Sequence, residues 1–362
     1  MAALPKTDVF VIGGGPAGLA VAIAARRKGF SVTVADAREP AIDKACGEGL
    51  LPDAVDAARI LGVDLTALKS FGVHGIRFHA EGASVEADFP AAQGLGIRRT
   101  ALHQAFVDQA TRCGVNLRWG SPVSNFDQIA ARWVIGADGT ASLVRRWAGL
   151  EAARRDSRRY GFRRHFRIAP CSPYVEIHWG DGCQIYITPV APDEVGVAVI
   201  SACSKLRVSD AIAKFPALAA RLDGRKEVSR ERGAVTATRS LRRVVRRNVA
   251  LIGDASGSVD AITGEGLNLA FRQSLALADA METGDLAAYE AEHRRLAVRP
   301  RFMADFMLLI GKSRWLRGRA TAALSSRPEL FQGFLAMHVG AVRPRDFAAD
   351  CVELGWRMLV RT

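Results

Sequence analysis

The sequence predicts an α/β fold in which a Rossmann-like dinucleotide-binding domain, an interleaved antiparallel-sheet domain and a set of C-terminal helices share one chain of 362 residues. Three observations predict it. The apolar run Asp8 to Ile12 enters the G-x-G-x-x-G turn Gly13 to Gly18 and then an Ala-rich helix. Between Tyr160 and Ser201 the pattern changes to longer alternating strands with glycine turns, as in an antiparallel sheet. From Ala287 to Thr362 the pattern is helical. The length allows one large or two ordinary domains, and 49% hydrophobic with 24% charged residues is ordinary for a globular protein.

In chain order, Leu19 to Lys28 has no internal breaker and ends in cations followed by Gly29, which favours a helix closed at its C-terminus. A second strand, Ser31 to Ala35, ends at Asp36, where a carboxylate can accept both hydroxyls of an adenosine ribose. An Asp there suits FAD or NAD and disfavours a 2′-phosphate. Cys46-Gly47-Glu48-Gly49 is either a loop that approaches the cofactor or substrate, or an ordinary loop with a buried thiol; Pro52 then starts a short helix. Short strands follow within Phe71 to Phe89, then a helix from Thr100 to Cys113. Val115 to Trp119, Val123 and Trp133 to Ile135 supply further strands, the last opening into Gly136-Ala137-Asp138-Gly139.

Tyr174 to Trp179, Cys183 to Val190 and Glu194 to Ser201 form a three-strand meander. Alternation groups Tyr174, Glu176 and His178 with Gln184, Tyr186 and Thr188 on one face, against Val175, Ile177, Trp179, Ile185 and Ile187 on the other. Val249 to Ala255 is again a buried strand ending in glycine and a carboxylate. Thr263-Gly264-Glu265-Gly266-Leu267-Asn268 then leads into a helix, Leu269 to Met281. Free N–H groups at that helix start suit an electron-rich ring edge. Breaks are expected near Pro300, Pro328 and Pro344. The apolar patch Phe302 to Ile310, flanked by Arg301, Lys312 and Arg314, is either core or an interfacial membrane contact.

The net charge of +13 comes mostly from arginines clustered at Arg154 to Arg167, Arg239 to Arg247 and Arg294 to Arg301. Such an excess steers anionic ligands or lipid headgroups, or is a solvated surface. No aromatics interleave with it in a nucleic-acid motif, so DNA and RNA are set aside. The six cysteines are scattered without metal spacing, so free thiols and no metal are expected. With no secretory h-region and no membrane-length apolar run, the expected location is cytoplasmic, with a membrane-peripheral alternative.

Three glycine-carboxylate sites in this order, Gly13 to Gly18, Gly136 to Gly139 and Gly253-Asp254-Ala255, resemble the fingerprint of the FAD-dependent aromatic hydroxylase superfamily. Lys44 to Gly49 together with Thr263 to Gly266 resembles its geranylgeranyl reductase branch and related bacterial polyketide and lipid-quinone hydroxylases. The resemblance implies FAD as cofactor, with NADH or NADPH as a transient reductant. It implies that Gly13, Gly15, Pro16, Ala17 and Gly18 hold the pyrophosphate, with Asp36 on the ribose. Arg99 would reach the pyrophosphate, Arg98 being the alternative, and Val123 the adenine. Asp138 matches an aspartate associated with both FAD and NAD(P)H. Gly253 and Asp254 would meet the ribityl chain, and Gly264, Gly266, Leu267 and Asn268 would cap the isoalloxazine. The implied FAD-binding domain spans 1–71, 96–150 and 245–285, the substrate domain 72–95 and 155–240, and the helical segment 286–362.

The activity implied first is NAD(P)H-dependent monooxygenation, in which O₂ supplies the oxygen transferred to a phenolic, polyketide or lipid-like ring. The alternative is reduction of isoprenoid double bonds, which Cys46 favours. The absence of a tryptophan between Tyr186 and Gly196, where the reductase branch carries one, weighs against it. The Trp-x-Trp-x-Ile-Pro run of flavin halogenases is absent. A non-catalytic flavin-binding or membrane-surface redox protein is the alternative of another class. No catalytic group is fixed; His178, Tyr186 and Cys46 are the candidates, and the oligomeric state is open.

Overall fold

Three strands pair in parallel at the centre of the molecule, with Thr7–Ile12 between Val32–Ala35 and Ala131–Gly136. The computed structural model describes residues 7–342 and 344–360, so the ends of the domains assigned from 1 and to 362 lie outside the described residues. The central sheet has six strands in the order Val245–Arg246, Val249–Leu251, Ala131–Gly136, Thr7–Ile12, Val32–Ala35 and Asn116–Arg118. Its central strands carry Val, Ile and Phe at consecutive positions because both faces are covered. On one face the helix Pro16–Arg27 packs against Arg99–Arg112 and Gly266–Thr283. Small residues on Pro16–Arg27, all buried from Leu19 to Ala25, let these helices approach, and Phe106 stacks on Phe271 at 4.8 Å. Val123 lies in a loop rather than a strand, packed against this core.

The second sheet has eight strands, ordered Gly257–Ser258, Arg232–Leu241, Ala153–Arg167, Glu194–Ser201, Cys183–Ala191, Tyr174–Gly180, Gly75–Ala80 and Ala83–Asp88. The meander is present, but its faces differ from the alternation drawn from sequence. The turn Asp181-Gly182 pairs Gly180 with Cys183, so Ile177 lies opposite Tyr186 and His178 opposite Ile185. A two-residue turn pairs even positions with odd ones. Tyr186 therefore shares a face with Ile177, and His178 with Ile185 and Ile187. The face of Ile185, Ile187, Val197 and Val199 is covered by the short helices Val208–Ile212 and Pro216–Leu222. The other, inner face carries Ile177, Tyr186, Ala198 and Ile200 and packs against Ala261 of the turn before Gly266–Thr283.

A small sheet, Gly49–Leu50, Gly94–Ile97 and Ser70–Val73, joins the two large ones. The boundaries expected at 71/72 and 95/96 fall inside its strands. The C-terminal helices Leu286–Ile310, Arg314–Ser326, Pro328–His338 and Pro344–Leu359 close the inner side. Pro328 and Pro344 do start helices, but Pro300 lies inside Leu286–Ile310. It removes one helical hydrogen bond, and burial of Leu296, Ala297, Met303 and Ala304 on either side holds the helix together. Within the expected apolar patch Met303, Ala304 and Ile310 are core, whereas Phe302 and Leu309 are exposed. No described helix is long and apolar enough to cross a membrane.

Candidate active site

The glycine turn is built by close approaches. A Cβ on Gly18 would stand 1.8 Å from the Gly13 carbonyl oxygen, and one on Gly13, whose φ is +111°, 2.4 Å from that of Ala137. A Cβ on Gly253, with φ +57°, would meet the Ala17 methyl at 2.8 Å, so the first and third motifs touch. Gly15 is the exception: its Cβ would meet no atom within 4 Å. Pro16 then opens the helix at its first turn. Asp36 accepts the Gly14 N–H through Oδ2 at 2.7 Å and the Arg38 N–H through Oδ1 at 2.8 Å, which holds its carboxylate at the edge of the turn.

A residue that the sequence reading missed supports this turn from below. His103 is fully buried, with Nε2 at 2.8 Å from the Gly14 carbonyl and Nδ1 at 3.4 Å from the Ile42 amide. The carbonyl must accept and the amide must donate, so the ring carries its proton on Nε2. Burial keeps its pKa below the ordinary value and the ring neutral.

Asp138 and Asp254 differ in what they hold. Asp138 accepts from Ser142 Oγ at 2.5 Å and from the Leu143 and Val144 amides at 2.6 and 3.1 Å, so its carboxylate caps the helix Leu143–Trp147. Buried Arg145 ties the second motif to the third by donating to the carbonyls of Thr140 and Ala255. Asp254 pairs with Lys44 at 2.8 Å and accepts weakly from Thr140 at 3.3 Å. The Lys44 ammonium holds its carboxyl below the ordinary range, and 38% of the Asp254 side chain stays exposed.

The helix start at Gly266 is open. Gly264, at φ +70°, and Gly266 are exposed with nothing within 4 Å of an added Cβ, and no side chain caps the helix Gly266–Thr283. Leu267 is half-buried against the core. Asn268 points the other way: its amide donates to Asp53 at 2.8 Å and Glu265 at 2.7 Å in a buried cluster with Arg299 and His338. Burial raises the pKa of Glu265.

The Cys46-Gly47-Glu48-Gly49 loop bridges the sheets. Thr188 on the inner face donates to the Gly47 carbonyl at 2.7 Å, and Cys46 Sγ is 3.4 Å from the Glu48 amide. Glu48, at φ +61°, buries a carboxylate that accepts the Arg99 N–H at 2.8 Å and meets His165 Nε2 at 2.5 Å. Arg163 lies beside both, and Ser229 meets His165 Nδ1 at 2.7 Å. Between the two candidate arginines, Arg98 pairs with Glu194 at 2.8 Å, whereas Arg99 leaves a buried Nε with no partner among the described residues. Arg99 also helps lower the pKa of Asp254, so it lies near that carboxylate.

The two sheet candidates separate. Tyr186 lies on the inner face, with its hydroxyl donating to the Ile262 carbonyl at 2.9 Å, and burial raises its pKa far above the ordinary phenol. His178 lies on the opposite face, stacked on His79 at 4.5 Å and 3.6 Å from Glu176. It does not share a cavity with Tyr186.

The donor set fits an FAD. Open space over Gly15, Gly47, Gly264 and Gly266, an uncapped helix start and the orphaned Arg99 Nε are features that an extended anionic dinucleotide satisfies. Comparison with known proteins agrees. Residues 6–129 match the family described as FAD binding domain. Menaquinone reductase of Mycolicibacterium smegmatis is 27% identical over 323 residues, covering 79% of each chain. Digeranylgeranylglycerophospholipid reductase of Methanosarcina acetivorans is 26% identical over 329 residues, 78% of this chain and 75% of that one. A flavoprotein/dehydrogenase from Cytophaga hutchinsonii has the same fold at 18% identity, with a TM-score of 0.80 over 96% of both chains. Residues 6–129 thus match an FAD binding domain, in a chain that has the fold of a flavoprotein/dehydrogenase and is similar along most of its length to menaquinone and digeranylgeranylglycerophospholipid reductases.

Proposed function

We propose that this FAD-dependent oxidoreductase reduces a prenylated lipid or quinone at the inner face of the second sheet. The observation that carries the reading is the Lys44 to Gly49 loop. One end is paired to Asp254 and the other is hydrogen-bonded to Thr188, so Cys46 stands between the cofactor motifs and the sheet. The relatives named above as reductases cover about four-fifths of the chain, which supports the same choice.

Gly13, Gly15, Pro16, Ala17 and Gly18 would hold the pyrophosphate together with Arg99; Asp36 would hold the ribose and Val123 the adenine. Asp254 would hold the ribityl chain, with Lys44 setting its charge. The helix start at Gly264, Gly266 and Leu267 would face the isoalloxazine. When bound, FAD supplies two-electron transfer from reduced nicotinamide to the acceptor. Ile177, Ala198 and Ile200 would exclude water from an apolar chain, Tyr186 fixes the Ile262 turn, and the Cys46 thiol would be a proton donor on the loop. A cytoplasmic enzyme with peripheral membrane contact fits a lipid substrate, and exposed Trp315, Trp356 and Leu359 on the C-terminal helices support such contact.

Hydroxylation of a phenolic lipid is the second reading, favoured by the missing tryptophan between Tyr186 and Gly196. NADPH oxidation by the flavin-loaded enzyme separates the two. Anaerobic oxidation dependent on menaquinone or a geranylgeranyl lipid supports reduction. Oxidation that requires O₂ and is stimulated by phenolic lipids supports hydroxylation. No oxidation with any acceptor refutes both.

A further inference from the structure

Three arginine-rich stretches that lie far apart in the sequence meet at one cavity. It has a volume of about 200 Å³ and is lined by Arg154 and Arg155, by Arg239 and Ser240, by Ser258 and by Arg301. These come from three neighbouring strands of the large sheet and from the helix Leu286–Ile310, which covers them. Arg155 pairs with Asp305 of that helix at 2.5 Å. Neither Arg154 nor Arg301 has a carboxylate within ion-pair distance among the described residues. Arg239 is the register partner of Asp156. The cavity lining thus gathers Arg154, Arg155, Arg239 and Arg301 with Asp305. The crowding shows on Arg301, whose pKa is lowered by burial and by Arg154 and Arg155. Partly buried like charges repel unless an anion joins them. The Ser240 hydroxyl also has no hydrogen-bond partner among the described residues.

We propose that this cavity binds the phosphate or diphosphate group of an organic ligand. Guanidinium forks and a free hydroxyl match tetrahedral phosphate oxygens, and several arginines together select a multiply charged group over a carboxylate. The volume equals about six or seven waters at roughly 30 Å³ each, room for a diphosphate but not for a whole nucleotide. The remainder of the ligand must therefore extend out of the cavity. Arg239 marks one route, since its Nη1 lies 3.5 Å from the Thr140 carbonyl, and Thr140 contacts Asp254. A phosphate held here places the attached group beside the ribityl end of the cofactor site. Two ligands carry this chemistry: the reduced nicotinamide dinucleotide, and a prenyl or phospholipid substrate.

The test is calorimetric titration of the flavin-loaded protein with inorganic diphosphate in phosphate-free buffer. Saturable binding is expected, weakened about tenfold or more by Arg301→Gln and by Arg154→Gln, as for loss of one charged hydrogen bond. Arg154 is exposed, so its variant is expected to fold even where that of half-buried Arg301 does not. Displacement of diphosphate by NADPH but not NADH would assign the 2′-phosphate. Displacement by both would assign the dinucleotide bridge, and displacement by geranylgeranyl diphosphate the lipid. Absence of diphosphate binding, binding unchanged in both variants, or displacement by none of these ligands overturns the proposal. The readout is binding heat, and flavin content is read separately from the visible spectrum, so failure of this site and failure of the flavin reading are distinguishable.

Discussion

Replacing Gly15 by alanine should separate folding from cofactor binding. Gly15 has φ −70° and ψ 174°, backbone that any L residue adopts, and its added Cβ meets no atom within 4 Å. The folded protein loses nothing, and the less flexible unfolded chain raises stability by about 0.4–1 kcal/mol. The same open space is where a pyrophosphate would approach the turn. A methyl there would push it off two backbone N–H donors, each charged hydrogen bond contributing about 1.5–3 kcal/mol. The sum, about 3–6 kcal/mol, corresponds to FAD affinity weaker by about 10²- to 10⁴-fold. Gly18→Ala is the control: its methyl would stand 1.8 Å from the Gly13 oxygen, so folding and binding should fail together. Titrating apoprotein with FAD by fluorescence quenching, beside thermal melts, reads both quantities. A Gly15→Ala protein that binds FAD within about threefold of the parent would refute the cradle.

Lys44→Ala should cost under about 1 kcal/mol at neutral pH, because both partners of the Lys44–Asp254 pair are well exposed. Lys44 depresses the carboxyl pKa of Asp254, so this contribution is complete above the unfolded value of about 3.9 and lost as pH falls below it; urea midpoints at neutral and acid pH check the sign. Tyr186→Phe should lower stability by about 1 kcal/mol through the lost bond to Ile262 and leave the pH profile of turnover unmoved, and a shifted profile would restore Tyr186 as an acid–base group. Glu48→Ala strips a buried charge from His165 and Arg163 and should cost about 3–5 kcal/mol in denaturant unfolding. His178→Ala should leave kcat/KM unchanged, because His178 lies on the sheet face away from the loop that carries Cys46.

The parts of the site legible in the sequence are those set by short-range geometry. The turn from Gly13 to Gly18, Asp36 at a strand end and the strand ending at Asp254 each need only a few consecutive residues, and glycines reveal where backbone must approach backbone. What could not be read depends on distant partners. His103 supports Gly14 from 89 residues away, and Glu48 meets His165 across 117. A histidine on a helix and a glutamate in a loop carry no local mark of such partners. Choosing between Arg98 and Arg99 likewise required Glu194, nearly a hundred residues on. Pro300 misled for the opposite reason: its local rule was sound, but tertiary burial outweighed one lost hydrogen bond. The three arginine clusters were visible singly, and only the sheet order brings them to one cavity.

The strand Cys183–Ala191 is buried at every position, so hydrophobicity alone does not choose which of its faces meets the cofactor side. That choice belongs to the turn Asp181-Gly182, where Gly182 takes φ +75°. A one-residue slip of that pairing would exchange the two faces, turning Ile185 and Ile187 toward Ala261 and Tyr186 and Thr188 under the covering helices. The wall seen by a substrate is thus encoded in a loop it never touches. The register of one hairpin is a means of refitting that wall while leaving the glycine motifs of the first sheet intact.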